Sequence, residues 1–208
     1  MNERENGGLR ERKKAATREA LSAAALRLAL ERGPENVRVD DIAEAARVSP
    51  RTYNNYFSSR EQAIVAAIAA ERALRIGSAL RARPDGEPLA EAVVEAVVEQ
   101  HSEPPGDALT LITSAPALRA EFIEAVAAIR SPLAAAIAER LGREDDLATE
   151  VLAAAVAAAA RVAVEHWVSG WQQAAGALLV VPQGPPLADV LREALSHVVP
   201  ALEAAERV

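Results

Sequence analysis

The chain has 208 residues, half of them hydrophobic and 3% aromatic, with no cysteine and a net charge of −7. This length allows one sizeable domain, or a small one joined to a larger, and the lack of cysteine excludes disulfides, thiolate catalysis and zinc–cysteine sites. With so few rings the core must be built from Ala, Val, Leu and Ile, and alanine-rich composition favours helices because alanine gives up no side-chain entropy on entering one. An all-α protein is the expectation.

Residues 1–14 are polar and charged with no apolar stretch behind them, unlike a signal peptide. Residues 1–9 are expected to be disordered. The first predicted helix covers 10–32, with Leu21, Ala25 and Leu28 at helical spacing, Leu26 and Leu30 widening the stripe, and Gly33-Pro34 as its stop. A short helix follows over 39–46, with Val39, Ile42 and Ala46 inward, and 47–49 makes a tight turn. Ser49 is placed as an N-cap and Pro50 as the first residue of the next helix, which ends near Tyr56-Phe57. Ser58 or Ser59 caps a fourth helix running to about residue 83. After the 84–88 breaker, further helices are expected at 88–101, 106–114, 117–141, 146–174 and 187–205, about nine in all, with Pro132 kinking or splitting the 117–141 segment. The most apolar run, 151–160, is interrupted by Arg161 and Glu165 and falls short of the ~20 residues of a membrane span. A soluble cytoplasmic protein with no membrane partner is therefore expected.

Charge is unevenly spread. Residues 1–60 hold 12 Lys+Arg against 9 Asp+Glu, an excess of +3, while the remainder carries −10. A basic head on an acidic body is the electrostatic footprint of a nucleic-acid binder. Within that head, 39–60 joins two short helices by a three-residue turn, the unit whose second helix fits the DNA major groove. On a helical wheel of ~100° per residue, Tyr53 and Phe57 share one side. Arg51, Thr52, Asn54 and Asn55 occupy the opposite arc, with Tyr56 at its flank. Arginine matches the O6/N7 edge of guanine, asparagine the N6/N7 edge of adenine, and the threonine methyl suits thymine. Tyr56 and Arg60 are better placed for phosphates, which position the protein without reading sequence. Lys13, Lys14, Thr17 and Arg18 stand ready to grip the backbone nearby. Arg38, Val39, Ser49 and Pro50, at the starts of the second and third helices, complete the candidate DNA-facing set.

Residues 10–70 resemble the DNA-binding domain of the TetR family. The matching features are Glu31-Arg32-Gly33, the Asp-Asp-Ile-Ala run at 40–43, Val48-Ser49-Pro50-Arg51-Thr52-Tyr53 with Tyr56-Phe57, and Ser59-Arg60-Glu61 opening a fourth helix. Two positions depart from the pattern. Arg38 stands where the family commonly has a threonine cap, and is read as a substitute phosphate contact. Arg47 stands where glycine is frequent, at a cost of up to ~1 kcal/mol if that residue is left-handed.

The resemblance implies a three-helix helix-turn-helix head at 1–58 and a larger helical ligand-binding and dimerisation domain at 59–208. It also implies a homodimeric repressor on double-stranded palindromic operator DNA, released by a small apolar ligand. In the family the last two helices pair with their copies. Here 151–168 and the stripe Leu187, Val190, Leu191, Ala194, Leu195, Val198 and Leu202 fit that role, ordinary core being the alternative. Two reading heads about 34 Å apart also suit DNA geometry. The candidate pocket lining is Val98, His101, Leu111, Ile112, Phe122, Val126, Ile129, Val164 and Trp167, with Trp171 one turn beyond Trp167; such rings are more often plain core. Residues 109–141 loosely resemble the family's acyl-CoA-binding branch, which makes an acyl-CoA-like ligand an expectation. No cofactor or metal is expected. An enzyme is disfavoured, since there is no Gly-rich phosphate loop, Gly-x-Ser-x-Gly elbow or His-Glu-x-x-His motif and His101, His166 and His197 are far apart. A helical adaptor would leave the polar face of 51–55 without a purpose.

Overall fold

The computed structural model of the protein describes residues 2–102, 111–112, 115–144, 146–169 and 185–207. In chain order these form α1 (Asn2–Arg32), a 3-10 turn (Pro34–Asn36), α2 (Val39–Ala45), α3 (Pro50–Asn54), α4 (Arg60–Ala82), α5 (Leu89–Ser102) and α6 (Pro116–Ala125). A second 3-10 turn (Val126–Ile129), α7 (Arg130–Arg140), α8 (Leu147–Ser169), α9 (Leu187–Ser196) and α10 (Val199–Glu206) follow. No strand occurs among the described residues, so the chain is all-α as its composition requires. Two compact units divide it, Met1–Ile68 with Gly106–Glu121, and Ala69–Pro105 with Phe122–Val208.

In the first unit, α1 starts at Asn2 rather than at residue 10, so the segment expected to be disordered is helical from there on. Gly7-Gly8 fall within this stretch, and a mid-helix glycine costs only ~1 kcal/mol relative to alanine. Leu21, Ala24, Ala25, Leu28 and Ala29 are buried, while Leu30 is 49% exposed and lies outside the stripe it was expected to widen. This face of α1 packs on the first 3-10 turn and α2, and α2 packs on α3. Gly33, at φ 80°, donates its N–H to the Ala29 carbonyl and ends α1.

The turn after α2 closes by two reversed bonds, Arg47 N–H to Glu44 O at 2.9 Å and Val48 N–H to Ala43 O at 2.9 Å. This Schellman closure needs a left-handed residue, and Arg47 supplies it at φ 57°. The chain repeats the closure after α7, where Gly142 at φ 63° donates to Glu139 O and Arg143 to Ala138 O. Glycine pays no Cβ penalty there; arginine does. Arg47→Gly is therefore expected to stabilise the protein by up to ~1 kcal/mol, read as a higher thermal midpoint.

In the second unit α8 packs on α7, α9 and the second 3-10 turn, and α9 and α10 pack on α5. Asp146 and Thr149 open α8 with a reciprocal capping box, Thr149 N–H to Asp146 Oδ1 at 2.9 Å and Asp146 N–H to Thr149 Oγ1 at 3.0 Å. Those bonds hold the Asp146 carboxyl below its ordinary range. The expected 117–141 helix is split as Pro132 demands, but one turn upstream, at Val126–Ile129. The proline ring conflicts with the carbonyl four residues back, that of Ala128. The expected single helix over 187–205 is also two helices, broken at His197-Val198. Pro200 has no N–H for the Ser196 carbonyl, and sits instead in the first turn of α10, where none is needed.

The expected 146–174 helix is α8 as far as Ser169, and the rest lies outside the described residues; of the expected 106–114 helix only Leu111 and Ile112 are described, as helix. By length and composition α8 is apolar enough to cross a membrane, which the sequence estimate denied, but close to half of its apolar window is buried within the protein.

Candidate nucleic-acid interface

The helix α3 is short and held at both ends and along its inward side. Ser49 Oγ accepts the Thr52 N–H at 3.1 Å, and Pro50 fills the first position, where a missing donor costs nothing. Tyr53 and Phe57 are 1% and 2% exposed, with ring centroids 5.8 Å apart. The Tyr53 hydroxyl donates to the Ser59 carbonyl at 2.7 Å, tying the end of α3 to the start of α4. Burial, with the Glu61 carboxylate adding, pushes that phenol up to about 12. Ser59, rather than Ser58, caps α4 by accepting the Gln62 N–H at 3.0 Å, and Gln62 Oε1 accepts the Ser58 N–H in return.

With its rings anchored inward, α3 leaves Arg51, Asn54 and Asn55 exposed and Thr52 and Tyr56 half-buried. Beside this face runs an open groove of about 550 Å³, lined by Arg10, Lys13, Lys14, Thr17, Thr52, Asn55 and Tyr56. The first half of α1 thus sets three cations against the outer edge of α3. Arg10 was missed by sequence reasoning. Its signal was available, because Arg10, Lys13 and Lys14 stand at i, i+3 and i+4 and so share one helix face.

Several expected contacts take other work. Arg18 Nη1 donates to the Tyr56 carbonyl at 3.0 Å, and its guanidinium lies 4.5 Å over the Phe57 ring. It closes the end of α3. Arg60 Nη1 donates to the carbonyls of Glu35 and Val37 at 3.1 and 3.0 Å, and Nε to Glu61 at 2.8 Å. It braces the first 3-10 turn against α4. The Thr17 hydroxyl donates to Lys13 O at 2.9 Å. Arg38 is exposed at the N-cap of α2; its N–H donates to Asp41 Oδ2 at 3.1 Å, but a guanidinium cannot accept the returning bond of a capping box. Val39 is half-buried.

The candidate ligand residues divide between the units. Leu111 and Ile112 are buried in the first; Val98, His101, Phe122, Val126, Ile129 and Val164 are buried in the second, with Trp167 half-buried. Trp171 lies outside the described residues. His101 Nδ1 donates to Val97 O at 2.8 Å, which leaves Nε2 buried without a partner. Burial first, and the Arg72 charge second, push this imidazole down to about 4 from an ordinary 6.5. In the unfolded chain His101 takes up a proton as pH falls through 6.5, whereas the folded site refuses it until about 4. Stability from this group is present above 6.5 and lost on acidification. Between pH 7 and pH 5 the loss is expected to be roughly 2 kcal/mol. Urea unfolding at the two pH values checks it, with His101→Phe reducing the difference.

A polar, outward-facing second helix in a three-helix head, followed along the chain by further helices, defines a helix-turn-helix DNA-binding protein. Residues 21–68 match the family model described as bacterial regulatory proteins, tetR family, and residues 87–203 match that of the MftR C-terminal domain. The HTH-type transcriptional regulator TcmR of Streptomyces glaucescens is 34% identical over 174 residues, covering 77% of this chain and 76% of that protein. The chain belongs to the TetR family of transcriptional regulators, which are not enzymes. Among solved structures it is similar to Thermus thermophilus FadR, a TetR-family transcriptional repressor in complex with lauroyl-CoA. The TM-score is 0.53 at 23% identity, over 87% of this chain and 92% of that one, a likeness of fold.

Proposed function

We propose that this regulator acts as a cytoplasmic homodimeric repressor, binding a palindromic operator through residues 1–58 and leaving it when a small apolar ligand enters 59–208. The observation that carries the DNA reading is the groove in which Arg10, Lys13 and Lys14 flank the exposed edge of α3. Arg51, Asn54, Asn55 and Thr52 read base edges. Lys13, Lys14 and Arg10 hold phosphates, with Tyr56 and Arg38 beside them.

The dimer reading rests on an apolar trough of about 490 Å³ between α8 and α9, with Ala158, Val162 and His166 on one wall and Ala194, His197 and Val198 on the other. On the same helix Leu147, Val151 and Val162 are 79%, 57% and 56% exposed. Large aliphatic side chains in such a row favour a partner surface. Val190, Leu191, Leu195 and Leu202 of the expected stripe are buried within the chain itself, so the contact surface is a narrower strip of it. Repeated small residues let a second copy of these helices approach closely. An acyl-CoA-like ligand remains the favoured class, supported by the likeness of 109–141 to that branch and by the lauroyl-CoA complex of the structural neighbour. Ligand and DNA then prefer different separations of the two heads, each weakening the other equally, with α4 as the lever.

Titration against a palindromic duplex at two salt concentrations tests this. Three cations per head make six phosphate contacts per dimer, so affinity is expected to fall about 10³-fold between 50 and 200 mM salt. Binding insensitive to salt would remove the groove from the interface.

A further inference from the structure

In the second unit one cluster of polar atoms serves neither the fold nor the DNA reading. Arg72, on α4, is 7% exposed, and its guanidinium lies 5.1 Å over the Phe122 ring. Its Nε–H is buried and has no hydrogen-bond partner. The adjacent carboxylate, Glu71, is exposed and pairs with Arg75 at 3.8 Å. No ion pair to Arg72 occurs among the described residues. His101, on α5 of the same unit, is 2% exposed and has a second buried atom without a hydrogen-bond partner, Nε2. The two groups feel each other, because the Arg72 charge helps to hold the imidazole neutral. Burial also pushes the Arg72 guanidinium down to about 10, so it stays charged at neutral pH.

An unpaired buried charge costs several kcal/mol, and buried polar atoms without partners are rare enough to need a cause. Phe122 satisfies one face of the guanidinium but not its Nε–H donor, which lies in the plane. A missing partner of opposite character answers the requirement. We propose that Arg72 and His101 form the anchor for the polar head of the ligand, an anionic or carbonyl oxygen at the end of an apolar acyl chain, received by the Arg72 donors. His101 Nε2 lies alongside it as the second polar contact, and Phe122 meets the start of the chain. This rests on the ligand-response reading above and adds to it the head group and the residues that hold it. Two sources share that chemistry, a free fatty-acid carboxylate and the thioester carbonyl of an acyl-CoA.

Calorimetric titration of the full-length protein with sodium laurate, lauroyl-CoA and 1-dodecanol tests the proposal. The wild type should bind laurate or lauroyl-CoA at least about tenfold more tightly than the alcohol, the worth of one charge-assisted hydrogen bond. Preference for laurate identifies a carboxylate, and preference for lauroyl-CoA a thioester. Arg72→Met, close in volume and free of charge, should fold and lose the preference while still binding the alcohol. Arg72→Lys should keep part of it, since the charge remains but the planar fork does not. Should Arg72→Met fail to fold, the wild-type comparison and Arg72→Lys still decide. Three results overturn the proposal: equal affinity of the wild type for laurate, lauroyl-CoA and alcohol, as when only a buried water serves the pair; a preference unchanged in Arg72→Met; or binding of none of the three probes. Binding with the expected preference but without effect on operator affinity would sink the ligand-response reading and leave the anchor standing.

Discussion

Tyr53→Ala is expected to melt the DNA-binding unit and abolish operator binding without touching a DNA-facing residue. The ring is 1% exposed and stacks against Phe57, which in turn lies beneath the Arg18 guanidinium. Removing a buried aromatic side chain costs about 3–5 kcal/mol, a large share of the 5–15 kcal/mol that holds a typical domain folded. The hydroxyl adds a separable part. Tyr53→Phe keeps the ring but removes the 2.7 Å bond to the Ser59 carbonyl, which still accepts the Ala63 N–H, at a cost of about 1 kcal/mol. Thermal unfolding of the two variants apportions ring and hydroxyl. A Tyr53→Ala protein that melts with the wild type would show that the inward face of α3 is not what positions the reading helix.

The second large effect falls on affinity alone. Arg51→Ala should leave the melting temperature nearly unchanged, since Arg51 is exposed and surface substitutions shift stability by about 0.5 kcal/mol or less. Each lost base contact should cost about 1–3 kcal/mol of binding, doubled in a dimer that reads two half-sites. Discrimination between bases should relax at the contacted position only. Lys13→Ala gives the contrast, weakening specific and scrambled duplexes alike because phosphates carry no sequence information. Fluorescence anisotropy on both duplexes separates the patterns, and sedimentation checks that Arg51→Ala retains its oligomeric state. Equal operator affinity in Arg51→Ala would refute the assignment of α3 as the reading helix.

Where local rules dominate, the residues were a sufficient guide. Ser49-Pro50 announces a helix start, and the two-residue offset of Arg51 from Tyr53, with Phe57 one turn on, sets opposite faces on any helix that forms there. The family resemblance marks the position of Arg47 as one where glycine is frequent, and Arg47 is left-handed there at φ 57°. Pro132 signals a break in the sequence, and Pro200 acts by the same steric rule within an apolar stripe that runs on past it.

Roles assigned to long side chains were less legible. Arg18 and Arg60 carry the same charge as Lys13 and Lys14, yet both are drawn inward to backbone carbonyls from segments 23 to 38 residues distant in sequence. Nothing in their immediate neighbours signals this, because a guanidinium reaches whichever carbonyl the fold leaves without a partner. The division of an apolar stripe between core and open surface has the same origin. Leu191 and Leu195 are covered by helices from elsewhere in the chain while Val162, equally apolar, is left bare. Hydrophobicity registers the need for cover without saying who provides it.

Helix type, turn closure and the reading face of α3 arise from interactions within a few residues, and the order of residues alone contains them. Whether a cation is free to meet a phosphate, which aliphatic row faces outward, and that Arg72 Nε and His101 Nε2 are buried without hydrogen-bond partners all depend on segments remote along the chain. Such facts come into being when those segments pack and exclude water, and only the three-dimensional arrangement records them.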